Sequence, residues 1–350
     1  MRIGIPREIK ILEGRVGLVP AAAGSLVAAG HEVLLEQGAG RSSGFDDDFY
    51  ARLGVRVVPD AAALYGGADL IVKVKEPVEP EIDLLESRHL LFSFLHLAAL
   101  PELTRRLCDI GLTAIGFETV EEHGTLPLLA PMSDIAGRIG IQVGAHLLHG
   151  PAGGKGLLLG GMPSVERGHV VVIGAGHAGG NAARAAAALG AQVTVFDKAA
   201  AKLAAMHALG PNVTALYPYP RLLAEAVAEA DLLVGAVLIP GAKAPHLISR
   251  EQVATMEKGS VVVDIAVDQG GCVETTRPTT YDAPTFVAEG VTHFCVTNMP
   301  GAVPRSASDA LSAALIRFVH RLAETDWERD PALASGVNVR GGRVVHPALL

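Results

Sequence analysis

The segment GHVVVIGAGHAGGNAAR contains three glycines whose spacing is typical of a dinucleotide-binding turn. Apolar β-formers precede Gly174, and small helix-forming residues follow Gly179. In such a turn the first glycine permits the tight change of direction, the second lets the backbone approach a pyrophosphate, and the third lets helix and strand pack closely. The helix N-terminus then offers unpaired N–H groups to phosphate oxygens. We therefore interpret Gly174, Gly176 and Gly179 as a dinucleotide-binding loop.

An acidic residue follows the next predicted strand. Asp197 stands directly after the apolar run QVTVF. It lies at the spacing from the glycines at which a carboxylate accepts hydrogen bonds from the adenosine ribose. This favours NAD over NADP as the dinucleotide.

Four other segments place polar residues in loops or at predicted strand ends, where α/β sheets present ligands. Arg15, in a charged loop after the first strand, is of the type that clamps a carboxylate bidentately. Lys75 ends a strand and could polarise a carbonyl, and His96 ends another and suits proton transfer. Asp268 ends an apolar strand in the second half, where we expect it to face a cleft between domains. Spacing alone favours plainer interpretations, a solvated arginine and a core histidine.

The composition describes a well-buried globular protein. Of the 350 residues, 49% are hydrophobic and 19% are charged, and this length makes two domains the natural expectation. The net charge of −8 argues against non-specific nucleic-acid binding. The start, MRIGIPREIK, lacks the apolar region of a signal peptide, and the richest apolar run, residues 90–100, is too short to span a bilayer. The three cysteines have no metal or disulfide spacing, so we expect a cytoplasmic protein.

Short apolar runs alternate with helical patterns along the whole chain. Strands are predicted at residues 2–5, 32–36, 55–58, 70–75, 90–95 and 113–117, and again at 170–173, 192–196, 213–216, 231–237, 261–267 and 292–296. This alternation predicts an α/β fold with mostly parallel sheets covered on both faces. A long amphipathic helix at 306–325 is expected to return to the first domain.

Another helix is predicted from Pro131 to about residue 149, with Ser133 as its N-cap. Its three glycines at positions 137, 140 and 144 share one face, which suggests close approach to another helix. His146 and His149 have a spacing that could serve a metal, but no third ligand is evident, so we expect no metal site.

Together these segments resemble the alanine dehydrogenase family along nearly the whole chain. The matching stretches are GIPREIK, EGRVGLVP, GHEVLLEQGAG, LIVKVKEP, LFSFLHLAA, ETV, LPLLAPMSDIAGR, GGMPSVERGHVVVIGAGHAGGNAAR, DLLVGAVLIPGAKAP, VVVDIAVDQGG, RPTTYDAPTF and NMPGAVPRSAS. The resemblance implies two Rossmann-like doubly wound domains, commonly assembled as a hexamer. A discontinuous substrate domain would comprise residues 1–127 and 305–350, and the inserted NAD-binding domain residues 128–304.

In that family the reaction is the reversible NAD-dependent oxidative deamination of L-alanine to pyruvate and ammonium. By resemblance, Arg15 would anchor the substrate carboxylate and Lys75 would bond its keto or amino end. His96 would transfer a proton, and Asp268 would orient or activate water or ammonia. The remaining matches are nucleotide contacts, namely the glycine loop, Ser133, Asp197, Lys202, Val237, Asn298 and Met299.

Two alternatives stay open. The NAD-binding subunit of a proton-translocating transhydrogenase shares the fold and the opening PRE motif, but resembles this chain less at residues 94–97, where His96 lies. A non-catalytic NAD-binding protein would not need Arg15, Lys75, His96 and Asp268 together. Two departures from the family pattern are His177 within the glycine loop, where a small or β-branched residue is commoner, and an end at Leu350, earlier than is usual.

Overall fold

A computed structural model describes residues 1–237, 246–324 and 326–350. The strands are β1 Arg2–Ile5, β2 Glu32–Glu36, β3 Arg56–Val58, β4 Leu70–Val72, β5 Leu90–Ser93, β6 Thr113–Gly116, β7 His169–Ile173, β8 Gln192–Phe196, β9 Val213–Leu216, β10 Leu232–Gly235, β11 Val261–Asp264, β12 Thr285–Ala288, β13 Val291–Phe294, β14 Val337–Arg340 and β15 Arg343–Val344. The α-helices are α1 Pro20–Ala28, α2 Asp47–Ala51, α3 Ala61–Gly67, α4 Pro101–Ile110, α5 Ala130–Leu147, α6 His177–Ala188, α7 Ala200–His207, α8 Pro220–Ala228, α9 Arg250–Val253, α10 Pro304–Leu322 and α11 Pro331–Ser335.

The chain divides into two compact units. The first unit comprises Met1–Met132 and Gly301–Leu350, and the second unit comprises Ser133–Pro300. The first unit contains the sheet β15-β14-β6-β5-β4-β1-β2-β3, in which β1 through β6 run parallel and β14 and β15 are antiparallel. The strand order reverses between β1 and β4. In doubly wound sheets, ligands bind at the carboxyl ends of the strands beside such a reversal.

The second unit repeats this arrangement. Its sheet has the order β12-β13-β11-β10-β7-β8-β9, with only β12 antiparallel among the described strands. The order reverses between β7 and β10. Strands such as β7 and β10 form because valine and leucine runs suit a sheet covered on both faces, and Val170–Val172 and Leu232–Val234 are fully buried. The predicted fold class, two Rossmann-like doubly wound α/β domains, is confirmed.

Helix α10 belongs to the first unit, which confirms the prediction that this helix returns to the first domain. Its apolar stripe is confirmed, since Leu311, Leu315, Phe318 and Leu322 are all buried. The helix begins at Pro304, whose fixed φ suits a first helical position, and ends at Leu322. The predicted end at Thr325 falls outside the described residues.

Several strands end earlier than the apolar pattern predicted. Strand β4 ends at Val72 rather than Lys75, β5 at Ser93 rather than Leu95, and β11 at Asp264 rather than residue 267. Side-chain carboxylates accept the backbone amides just beyond two of these strands: Glu118 accepts those of Leu95 and His96 after β5, and Asp264 accepts that of Ala266 after β11. The short elements α2, β12, β14 and β15 were not predicted, because their residues show no clear helical or strand periodicity. None of the described helices is long and apolar enough to cross a membrane.

The glycine face of α5 permits close packing within the second unit. A Cβ at Gly137 would lie 2.1 Å from the carbonyl oxygen of Ala178 in α6, so the predicted helix–helix approach is present there. A Cβ at Gly144 would instead meet the Leu232 side chain of β10 at 2.6 Å. The predicted N-cap is wrong, because α5 begins at Ala130 and Ser133 lies inside its first turn.

Candidate active site

Arg15 lies in the segment between β1 and α1 and is buried against a carboxylate of its own chain. Its Nε is 2.6 Å from Oε1 of Glu13, and its Nη2 donates to the other oxygen, which makes the pair bidentate. Nη1 lies 3.1 Å from the Met132 sulfur. Arg15, which was predicted to bind the substrate carboxylate, is thus already paired with the carboxylate of Glu13. A substrate carboxylate would have to use the remaining N–H donors of the guanidinium or compete with Glu13.

Three serines hold this segment against α10. The Val16 and Val19 amides each donate at 3.0 Å, to the hydroxyls of Ser308 and Ser312. Ser43 donates at 2.8 Å to the carbonyl oxygen of Gly14. The position of Arg15 therefore depends on a helix that begins almost 290 residues later in the sequence, which explains why sequence spacing could not reveal it.

Lys75 was predicted to end β4, but the strand ends at Val72, before both Lys73 and Lys75. Lys73 is 1% exposed, and its Nζ lies 3.1 Å from Glu8 Oε2 and 3.2 Å from Glu81 Oε1. Nζ also donates to the carbonyl oxygen of Lys75, while Glu8 accepts from the Val74 amide at 2.6 Å. Glu8 and Lys73 therefore fix the backbone that carries Lys75.

Lys75 has a different environment from Lys73. The described residues provide no ion pair for its ammonium within 4.0 Å. Burial lowers the pKa of Lys75, and the positive charges of Arg15 and Lys10 lower it further, against the carboxylates of Glu76 and Glu13. Arg15 and Lys75 consequently belong to one charged cluster at the carboxyl ends of β1 and β4. A lysine with a lowered pKa is suited to hydrogen bonding with a carbonyl or amine.

His96 joins the same cluster from the end of β5. Its Nδ1 lies 3.5 Å from Glu76 Oε2, and its backbone adopts the left-handed conformation with φ 51°. Glu118, beyond β6, accepts the His96 amide at 2.7 Å and the Leu95 amide at 3.1 Å. Sequence reasoning missed Glu76 and Glu118 as members of the site. The sequence could have indicated both. Glu76 directly follows Lys75 in the motif KVKEP, and Glu118, in the motif ETV, directly follows the strand predicted at residues 113–117.

The glycine loop of the second unit has the backbone that its sequence predicted. Gly174 follows β7 with φ 96°, a conformation that favours glycine. A Cβ at Gly179 would lie 1.8 Å from the Gly174 carbonyl oxygen, whereas a Cβ at Gly176 would meet nothing within 4 Å. Val237 follows β10 and borders the loop, since a Cβ at Gly174 would lie 3.0 Å from its Cγ2. The part of the matching segment at residues 238–245 lies outside the described residues.

Asp197 follows β8 and organises the neighbourhood of this loop. Its Oδ2 accepts the Ala175 amide at 2.8 Å, and its Oδ1 accepts the Ala199 amide at the same distance. Lys202 Nζ lies 3.8 Å from Oδ2. A carboxylate has about four acceptor positions, so Asp197 retains capacity for ribose hydroxyls.

His177 is the first residue of α6 and pairs with α5. Its Nδ1 lies 3.2 Å from Asp134 Oδ1, which also accepts the Asn181 side-chain amide at 2.8 Å. Ser133, the residue before Asp134, is half-buried on the same first turn of α5. The unusual histidine thus has a structural contact that ties the two helices together beside the glycine loop.

Asp268 does not end a strand, which corrects the prediction. It is exposed on a short 3-10 helix, Val267–Gln269, beyond the end of β11. The side chain that does end β11 is Asp264, which is fully buried and accepts the Ala266, Cys272 and Thr276 donors at 2.8–3.0 Å. Burial raises the pKa of Asp264, against these hydrogen bonds. Asp264 therefore shapes the loop that carries Asp268, a role that the apolar strand pattern concealed.

Asn298 and Met299 follow β13. Met299 is buried at the start of a 3-10 helix, Met299–Ala302, and its carbonyl oxygen accepts the Tyr281 hydroxyl at 2.9 Å. Asn298 is half-buried. No group of three metal-ligating side chains was found among the residues that the structure describes.

The second and third glycines of the loop, Gly176 and Gly179, should respond differently to substitution. Gly176→Ala is expected to fold normally, because the added Cβ meets nothing, but to weaken dinucleotide binding about tenfold or more, because the methyl would occupy the approach of the pyrophosphate. Gly179→Ala is expected to lower the free energy of unfolding by about 1–3 kcal/mol, because the turn and helix must separate. Thermal unfolding and dinucleotide titration check both variants. Equal loss of stability in the two would contradict the distinct roles of the glycines.

Comparisons with known proteins agree over the whole length of the chain. The family described as "Alanine dehydrogenase/PNT, N-terminal domain" matches residues 4–136, and "Alanine dehydrogenase/PNT, C-terminal domain" matches residues 140–347. The alanine dehydrogenase of Halomonas elongata is 46% identical over 355 residues, which cover 100% of this chain and 96% of that protein.

Two solved structures show the same likeness. A structure of an L-alanine dehydrogenase has a TM-score of 0.96 and 49% identity, and the match covers 100% of this chain and 98% of that one. A transhydrogenase from Sinorhizobium meliloti has a TM-score of 0.86 and 29% identity, covering 99% of this chain and 100% of that one. The matched domains, the relative and the site residues lead to one conclusion: this chain belongs to the alanine dehydrogenase/PNT family.

Proposed function

We propose that the chain catalyses the reversible NAD-dependent oxidative deamination of L-alanine to pyruvate and ammonium. The observation that carries this proposal is the charged cluster of the first unit, in which Arg15, Lys75 and His96 share the carboxylates Glu13 and Glu76. The chain is an amino-acid dehydrogenase by its likeness to alanine dehydrogenases. A protein that only bound a dinucleotide would have no use for this cluster.

Each polar group has a chemical task in this reaction. Arg15 would bind the carboxylate of pyruvate, and Lys75 would donate to its carbonyl oxygen as ammonia adds to the carbon. The resulting carbinolamine loses water when His96 supplies a proton to the departing hydroxyl, which leaves an iminium ion. Asp268 would orient the water or ammonia. These fixed charges would stabilise the charge that develops in the transition state, which is usually the largest single contribution of a protein to catalysis.

The second unit fits a dinucleotide. Helix α6 begins without a side-chain cap, so the N–H groups of its first turn suit phosphate oxygens, and the open space at Gly176 leaves room for them. When bound, the nicotinamide exchanges a hydride with the substrate carbon. Asp197 would hold the ribose hydroxyls, and this supports NAD over NADP. Ser133, Lys202, Val237, Asn298 and Met299 complete the proposed nucleotide contacts.

We propose further that the chain acts in the cytoplasm and forms a homo-oligomer, a hexamer by family resemblance. Three large apolar side chains lie exposed close together in sequence, namely Leu158, Met162 and Val165. Exposed apolar side chains that cluster in this way are typical of surfaces that associate. We also propose a division of tasks within each chain. Residues 1–127 and 305–350 would form the substrate domain, and residues 128–304 would form the NAD-binding domain.

The assay that tests the function measures oxidation of NADH by the purified protein with pyruvate and ammonium together. Turnover is expected with both substrates and none when either is omitted. NADPH should react at least about tenfold more slowly, because its 2′-phosphate would meet Asp197. Binding of NADH without turnover would contradict the dehydrogenase and favour an NAD-binding subunit or sensor. Equal rates with NADH and NADPH would refute the role of Asp197. A panel of 2-keto acids defines the substrate.

A further inference from the structure

Glu76 is a buried carboxylate that the proposed reaction leaves without a task. Its side chain is 7% exposed, and its Oε1 accepts a hydrogen bond from Lys10. Its Oε2 is buried and has no hydrogen-bond partner among the described residues. A buried carboxylate oxygen without a partner is costly, so it requires an explanation.

The ring of His96 lies next to that oxygen. The 3.5 Å between Nδ1 and Oε2 is close enough for an ion pair but longer than a well-formed hydrogen bond. The backbone of His96 is fixed independently, since Glu118 accepts its amide and that of Leu95. Hydrogen bonds at catalytic groups are often long without substrate and shorten when it binds. A small rotation of the imidazole would therefore give Oε2 its missing donor.

The charges around the pair favour an ionised Glu76. Burial alone would raise the pKa of Glu76, but the contacts with His96 and Lys10 and the charge of Lys75 outweigh burial and hold it below its ordinary value. The other acid facing His96 is Glu118, whose oxygens point to the backbone amides. Glu76 is thus the anion whose Oε2 is placed to accept a hydrogen bond from a protonated Nδ1 of His96.

We propose that Glu76 is the positioning residue of His96, holding the ring so that Nδ1–H donates to Oε2 and Nε2 exchanges the proton with the substrate. This inference rests on the proposed function. During oxidation of alanine, Nε2 accepts one proton from the attacking water, the imidazolium forms beside the ionised Glu76, and the proton then passes from Nε2 to solvent. Glu76 itself gains no proton. A fixed tautomer and a stabilised imidazolium are what a carboxylate provides to a histidine in acid–base catalysis.

The test compares Glu76→Gln with Glu76→Asp in the full-length protein. Glu76→Gln is expected to lower kcat for alanine oxidation about tenfold to 100-fold. The acidic limb of its kcat/KM profile should move to lower pH by roughly one unit, because the imidazolium loses its neighbouring anion. Glu76→Asp keeps the charge and should keep the limb within about 0.3 units while recovering most of kcat. If the acidic limb of the kcat/KM profile stayed in place in Glu76→Gln, and kcat fell equally in both variants, Glu76 would only support the fold.

A second measurement separates this inference from the proposed reaction. The ring signals of His96, identified by their loss in His96→Asn, are followed by NMR during a pH titration without substrate. The midpoint should be lower in Glu76→Gln than in the unmodified protein, whatever substrate the enzyme uses. An identical midpoint would overturn the positioning role. Absence of activity with alanine beside a shifted midpoint would instead overturn the function alone.

Discussion

His96→Asn and His96→Ala are expected to lower kcat for alanine oxidation about 100-fold to 10,000-fold while changing the affinity for NAD⁺ less than about twofold. The imidazole is the proposed proton-transfer group, and it belongs to the first unit, whereas the glycine loop belongs to the second. Asparagine is the sharper substitution. His96 has φ 51°, and asparagine tolerates this left-handed conformation better than alanine does.

His123→Asn is the matched control for this variant. His123 is also a histidine of the first unit with a positive φ, 54°, but it is exposed on a turn. Its replacement should leave kcat within about 1.5-fold, and Tm within about 1 °C, of the values for the unmodified protein, because surface substitutions have small effects. A steady-state assay and an NAD⁺ titration check both variants. If His96→Asn mainly weakened NAD⁺ binding, His96 would lie outside the chemistry.

The residues that could be predicted from the sequence are those whose chemistry depends on local order. Gly174 follows a strand and Gly179 lies at the start of a helix, so their backbone roles depend on neighbours in the chain. The structure contains both the predicted turn at Gly174 and the predicted close packing at Gly179. The same holds for the alternation of strands and helices that predicted the doubly wound fold. The family resemblance, now confirmed, predicted roles for Arg15, Lys75, His96 and Asp268 as a set, and those roles stay predictions.

The partners of those residues could not be read in the same way. Glu13 pairs with Arg15 because the intervening turn brings two residues of one loop together, and α10 holds that loop from the far end of the sequence. Asp268 was misplaced because the apolar run VVVDIAV does not show that Asp264 turns inward and ends the strand. A buried polar residue in an apolar run is ambiguous in sequence, since the hydrogen bonds that satisfy it come from residues elsewhere in the fold.

Lys73→Met and Lys75→Met are expected to have opposite effects, although the two residues are separated only by Val74. Lys73→Met removes the cation shared by the buried Glu8 and Glu81. Breaking such a pair should lower the free energy of unfolding by about 3–5 kcal/mol, which corresponds to a fall in Tm on the order of 10 °C.

Lys75→Met should instead lower kcat/KM for pyruvate by about 100-fold to 1,000-fold with an unchanged or higher Tm. Burial lowers the pKa of Lys75, so its charged form costs stability in the folded state. That cost is fully present below the folded-state pKa and disappears as the pH rises past the lysine value of the unfolded chain, about 10.4. Any stability gained by Lys75→Met should therefore shrink as the pH approaches that value. Thermal unfolding between neutral and alkaline pH, together with steady-state kinetics, checks both variants. A Tm that fell in Lys75→Met as far as in Lys73→Met would make Lys75 a structural lysine, since a substrate-binding cation without an ion pair has little stability to lose.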